Sequence, residues 1–294
     1  FHEGGNARGV DLGKAGEAIM SAMKAANPKA VWVAQAWGAC PYPDMIKHLK
    51  NGDMLVLDLY SETRPQWGDP ESTWLRKEGF NGHDWAFCML LNFGSNVGLY
   101  GKLQHVVDEY YKARQSKFAS TLKGVGLTME GIENNPVMYE LVSELPWRNN
   151  KFGWQEWLNN YVEARYGNIN NTKVHDAWML LARSVYGASD KVLEQGCHES
   201  VLCARPALDV YQVSSWSEME EFYNPDDVIR AAQLMVEASH EVKANANFRY
   251  DLVDITRQAI AEKARYVYAE IVAAYRAKDR KMFDYTTRRF LDII

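Results

Sequence analysis

Two glutamates stand where this chain could carry out acid–base or nucleophilic work. Glu3 precedes Gly4-Gly5 and Glu130 precedes Gly131, and each closes a stretch that reads as the end of a strand. Glycine beside an acid lets backbone or ligand approach closely. Neither glutamate has a Lys or Arg within three positions, so neither reads as half of a local surface ion pair. A solvated loop acid is the plainer alternative for both. Asp58 and Glu62, at the end of another apolar run, compete for the same role.

Other chemistries are poorly matched. His2-Glu3 would need a second His at position 6 to make a zinc-binding helical pair, but position 6 is Asn and Gly4-Gly5 would disrupt that helix. His198 lies between Cys197 and Cys203, yet no four-ligand set accompanies it, and a small disulfide or two free thiols both remain open for those cysteines. No glycine-rich turn follows a strand with the spacing that cradles phosphates. No cofactor is expected. Aromatic residues do crowd the strand ends: Trp37 and Tyr60 close two strands, Trp67 lies in a loop, and Tyr100 follows the turn that starts at Asn92. Flat aromatic faces beside amides and carboxylates suit sugar rings, whose C–H faces are apolar and whose hydroxyls need hydrogen-bond partners.

Such residues need a scaffold that brings strand ends together. The pattern predicts parallel strands at about 30–36, 54–60, 86–92 and 123–129, because each is a short apolar run bounded by turn residues. Helical spacing predicts helices over 11–26, 43–49 and 103–115. Apolar runs without alternation imply strands covered on both faces, as in parallel α/β sheets, and in a β/α barrel the reactive groups gather at the C-terminal ends of the strands. Beyond Trp147 the strand pattern stops. Helices are expected from Trp154 to Gly167, over Val174–Val185 and from Asn224-Pro225 onward, followed by a stripe of Val253, Ile260, Ala264, Val267, Ile271 and Ala274 for packing against other helices. The expected fold class is α/β plus all-α: a parallel β/α part followed, from a boundary near residue 150, by a helical domain.

With 294 residues, 47% hydrophobic and 24% charged, the chain can bury a large core. Its net charge of −5 lacks the basic excess that draws nucleic acid, and no run approaches the roughly 20 apolar residues of a membrane span. Neither nucleic acid nor membrane insertion is expected. The chain opens at Phe1 without Met and reads as a cut piece.

Six ordered blocks resemble glycoside hydrolase family 89: Phe-His-Glu-Gly-Gly at 1–5, Ala-Val-Trp-Val-Ala-Gln-Ala-Trp at 30–37, Leu-Val-Leu-Asp-Leu at 55–59, Asn-Phe-Gly-Ser-Asn-Val-Gly-Leu at 92–99, Gly-Leu-Thr-Met-Glu-Gly-Ile at 126–132 and Phe-Arg-Tyr-Asp-Leu at 248–252. The resemblance spans nearly the whole chain. It implies 1–148 as the C-terminal half of a (β/α)8 barrel, 149–294 as a helical C-terminal domain, and a retaining hydrolase that releases terminal α-linked N-acetylglucosamine from glycans. It implies Glu3 as acid/base, Glu130 as nucleophile and Trp37 as a sugar platform, with His2, Asn92 and Tyr60 lining the substrate site. In lysosomal relatives position 2 is Asn and position 97 is His, so His2 and Val97 resemble the bacterial members. Work outside the cytoplasm, and little activity in this segment alone, are further expectations. A carbohydrate-binding relative without catalysis is the alternative, and retention of both glutamates speaks against it.

Overall fold

The computed structural model describes residues 9–94, 96, 98–131, 135–167, 171–189, 196–213, 219–242 and 244–293. The chain divides into two compact units. The first comprises Phe1–Leu91, His105–Glu130 and Tyr139–Lys151, and the second Asn92–Gln104, Gly131–Met138 and Phe152–Ile294.

The first unit is built on four strands, β1 (Trp32–Ala36), β2 (Met54–Asp58), β3 (Asp84–Met89) and β4 (Leu122–Leu127), in the spatial order β1-β2-β3-β4. Every neighbouring pair is parallel, with Ala36 opposite Asp58, Asp58 opposite Phe87 and Met89 opposite Leu127. Consecutive, adjacent, parallel strands place all four C-terminal ends on one edge, as the wall of a β/α barrel requires. The helices around them are α1 (Leu12–Ala26), α2 (Pro43–Ile46), α3 (Leu103–Gln115) and α4 (Pro136–Glu144). Helix α1 starts where Asp11 accepts the Lys14 N–H at 3.1 Å, an N-cap of the usual kind. Helix α3 buries Val106, Val107 and Tyr110, the last meeting Phe87 of β3 edge-on at 5.6 Å.

The expectation of strands covered on both faces holds for β3, which is buried from Trp85 to Met89. It fails at the outer strands. β1 exposes Val33 and β4 exposes Leu127, the first and last strands in the order among the described residues. Gly126 is required where β4 passes β3: a Cβ there would stand 2.6 Å from Cys88 Sγ.

The second unit is helical. It contains α5 (Trp154–Tyr166), α6 (Thr172–Arg183), a 3₁₀ turn at Val201–Cys203, α7 (Pro225–Val242), α8 (Ala246–Arg276) and α9 (Arg280–Leu291). Successive helices α6, α7, α8 and α9 pack on one another. Helix α5 stops at Gly167, whose φ of 80° is the left-handed cap conformation. Among the described residues of 152–293 no strand occurs, Gly187 making only an isolated bridge to Lys102.

The stripe expected on α8 is only half right. Ala264, Val267 and Ala274 are buried, but Val253 and Ile260 face solvent. The true inner face includes Asp251, Gln258 and Glu262, whose polarity hides them from an apolar count. Asp251 accepts two hydrogen bonds from Arg165, at 2.5 and 2.8 Å, and one from the Tyr166 hydroxyl at 2.6 Å. Gln258 accepts the Leu99 N–H at 3.1 Å. No helix among the described residues is long and apolar enough to cross a membrane.

Candidate active site

Four strand ends of the first unit define the candidate site, beginning with Trp37 directly after β1. Its backbone N–H and C=O pair with those of Cys40, at 3.0 and 2.9 Å, which fixes the turn that presents the indole. The ring stacks against Tyr60 with centroids 6.0 Å apart and meets Trp74 edge-on at 4.8 Å. Arg64 lies over Trp74, its guanidinium carbon 5.3 Å from the ring centroid. Tyr60 is buried whereas Trp37 and Trp74 are half-buried, so the cluster offers two aromatic surfaces from a fixed base. Such faces match the apolar side of a pyranose.

Trp74 escaped the sequence reading. It belongs to the long connection between β2 and β3, where no periodicity singles out one residue. Trp67, in the same connection, is fully buried and stacked on Trp85 at 6.0 Å. Tyr100 is also core. For both, burial decides against a ligand surface.

The acids separate by environment. Asp58, the last residue of β2, is entirely buried, and its Oδ2 accepts the Gln66 and Trp67 N–H groups at 2.8 and 3.0 Å. Burial raises its pKa to about 7, opposed by those two N–H bonds and by nearby Arg76. Glu62 is buried too. Its Oε1 accepts the N–H groups of Leu90 and Leu91 at 3.0 and 2.7 Å, holding the backbone just past β3, where Leu91 takes the left-handed φ of 64°. Both competing acids therefore organise backbone. Glu130 is different: it is exposed, three residues past the end of β4. The segment before it is anchored by Thr128, whose N–H reaches Met89 C=O at 2.9 Å and whose hydroxyl donates to Leu59 C=O at 2.8 Å.

In the second unit, buried Asn92 uses its whole amide on the residue that follows Glu130 in sequence. Its Oδ1 accepts the Gly131 N–H at 3.0 Å and its Nδ2 donates to Gly131 C=O at 3.2 Å. His2 and Glu3 lie outside the described residues. Cys197 and Cys203 are not joined; Cys197 Sγ accepts the Gly98 N–H at 3.0 Å, and burial pushes its thiol up to about 11.

Comparison with known proteins resolves the family. Residues 1–149 match the model of the α-N-acetylglucosaminidase (NAGLU) TIM-barrel domain, and residues 157–294 match the NAGLU C-terminal domain. The chain belongs to glycoside hydrolase family 89, the α-N-acetylglucosaminidases. Within family 89 it is 34% identical to human α-N-acetylglucosaminidase over 278 residues, covering 91% of this chain and 35% of that protein. A family 89 glycoside hydrolase from Clostridium perfringens, solved with PUGNAc, superposes with a TM-score of 0.87 at 30% identity, over 100% of this chain and 32% of that one. The same clostridial enzyme with two glutamates changed to glutamine, in complex with its substrate GlcNAc-α-1,4-galactose, gives a TM-score of 0.86 at 29% identity, again over 100% and 32%. The chain thus spans about a third of the length of the family 89 proteins it matches.

Proposed function

We propose that this protein is a retaining hydrolase that removes terminal α-linked N-acetylglucosamine from glycans, with Glu130 as nucleophile and Glu3 as acid/base. The observation that carries the reading is the division among the strand-end acids. Asp58 and Glu62 are buried against backbone N–H groups, whereas Glu130 is exposed just beyond β4. The clostridial relative held its substrate with two glutamates changed to glutamine, which supports a pair of carboxylates as the chemical machinery.

In this mechanism the sugar rests on Trp37, with Tyr60 and Trp74 behind it. Glu130 attacks the anomeric carbon while Glu3 protonates the departing oxygen, giving a glycosyl ester; Glu3 then takes a proton from the water that cleaves it. The two carboxyl groups should stand roughly 5–5.5 Å apart, as in retaining enzymes. Asn92 enters as a positioning residue: through Gly131 it fixes the backbone beside the nucleophile.

Kinetics of the whole protein test the roles. Glu130→Gln should abolish release of N-acetylglucosamine from every substrate. Glu3→Gln should largely spare the first step with an activated phenolate leaving group and slow the second. Azide, which needs no general base, should rescue Glu3→Gln and yield the α-glycosyl azide. Near-wild-type turnover by Glu130→Gln would overturn the nucleophile assignment, and a β-configured product would overturn retention.

A further inference from the structure

A second cluster of chemical groups lies within the helical unit, independent of the sugar site. His198, Glu221 and Glu262 each bring one ligand-type atom within 4.8 Å of the others. They come from three segments: the stretch before the 3₁₀ turn, the stretch before α7, and the middle of α8. The side chains of His198 and Glu262 are buried, and that of Glu221 is 14% exposed.

Hydrogen-bond accounting defines the histidine. The Tyr223 hydroxyl lies 2.7 Å from Glu262 Oε1 and 3.1 Å from His198 Nδ1. A phenol has one proton to give, and the carboxylate oxygen, at the shorter distance, takes it. Nδ1 must then carry the proton that it donates to the phenol oxygen. In the neutral ring this leaves the Nε2 lone pair facing Glu262 Oε1 at 3.4 Å and Glu221 Oε1 at 3.8 Å. In that tautomer Nε2 and the two carboxylates lie close enough together to share one cation, while Arg265 supplies a positive charge on the outer side of Glu221.

The His198–Glu262 spacing leaves room for a cation larger than a proton. A charge-assisted N–H···O⁻ bond runs about 2.7–2.9 Å, shorter than either contact. Ligand atoms about 2.0–2.2 Å from a tetrahedral zinc-sized ion stand about 3.4 Å from each other. Glu262 has further capacity: Oε1 is anchored by Tyr223 and by Gln258 Nε2 at 2.7 Å, while Oε2 is buried and accepts no hydrogen bond from the described residues. Arg265 pairs with Glu221 Oε1 at 2.9 Å and would remain beside that ligand as its outer partner.

We infer that His198, Glu221 and Glu262 form a binding site for a first-row divalent metal ion, with one imidazole nitrogen and two carboxylates as protein ligands and Tyr223 orienting the imidazole. Two carboxylates match the ion's charge, and the nitrogen–oxygen donor set suits zinc, manganese or ferrous iron. The ion would cross-link α8 to the two segments that precede the 3₁₀ turn and α7.

Zinc binding by the chelator-stripped full chain tests this, read by competition against a chromophoric chelator and by thermal unfolding. One equivalent should bind and raise the melting temperature. Tyr223→Phe should weaken uptake about 10–100-fold, the usual cost of losing an outer-shell partner, and Glu221→Gln by at least as much. X-ray absorption of the zinc-loaded wild type needs no variant, and should show a nitrogen and oxygen shell with one imidazole. No stoichiometric uptake, uptake unchanged in both variants, or sulfur in the zinc shell would each overturn the site.

Discussion

A carboxylate at the end of a buried strand can hold backbone or meet a ligand, and its surroundings decide which. Asp58 does the first, with burial raising its pKa to about 7 from an ordinary value of 3.8. Between those values the folded chain retains a proton that the unfolded chain releases, so this residue's contribution to stability is complete below about pH 4 and is lost as pH rises through 7. Asp58→Asn should therefore flatten the decline in stability between pH 5 and 7.5, measured by urea unfolding at each pH; an unchanged decline would show that Asp58 does not titrate there. That Trp37 and Glu130 stand just past strand ends was legible in sequence, because each closes a short apolar run beside turn residues. Trp74 was not, because a long connection without period gives no clue to which indole turns outward. The division of labour among Asp58, Glu62 and Glu130 was also hidden, since all three occupy equivalent strand-end positions in sequence.

At the scale of elements, the strands and most helices were legible because their hydrophobic runs match their structural period. Helix α8 was misread along its face, since Asp251, Gln258 and Glu262 count as polar while standing inside. Asp251 makes the clearest test. Its carboxylate is buried against Arg165 and the Tyr166 hydroxyl, and removing one partner of such a pair leaves an uncompensated charge that costs about 3–5 kcal/mol. Asp251→Ala should lower urea-unfolding stability by that order, and a loss below about 1 kcal/mol would mean that the pair is solvated. Between β3 and β4, Gly126→Ala should cost about 1–3 kcal/mol by overpacking against Cys88 Sγ. Adding Cys88→Ala should recover part of that loss, which a double-mutant cycle by thermal unfolding measures.

For the whole molecule, all four cysteines are unbonded, and only Cys203 is exposed. Brief alkylation of the folded chain should label Cys203 alone, and alkylation in denaturant should label four thiols; mass spectrometry reads both, and a native adduct on Cys40, Cys88 or Cys197 would contradict the packing. Sequence spacing left the state of Cys197 and Cys203 open, because pairing depends on where the chain carries them. The inner face of α8 has a consequence for how the helical unit finds its fold. A 31-residue helix held by small apolar side chains alone could slide by a turn or two along its neighbours at little cost. Asp251, Gln258 and Glu262 are spaced seven and four residues apart, and each engages a different segment: α5, the backbone at Leu99, and Tyr223. Any shifted docking would strand all three polar groups in the interior at once, so the helix has a single admissible register.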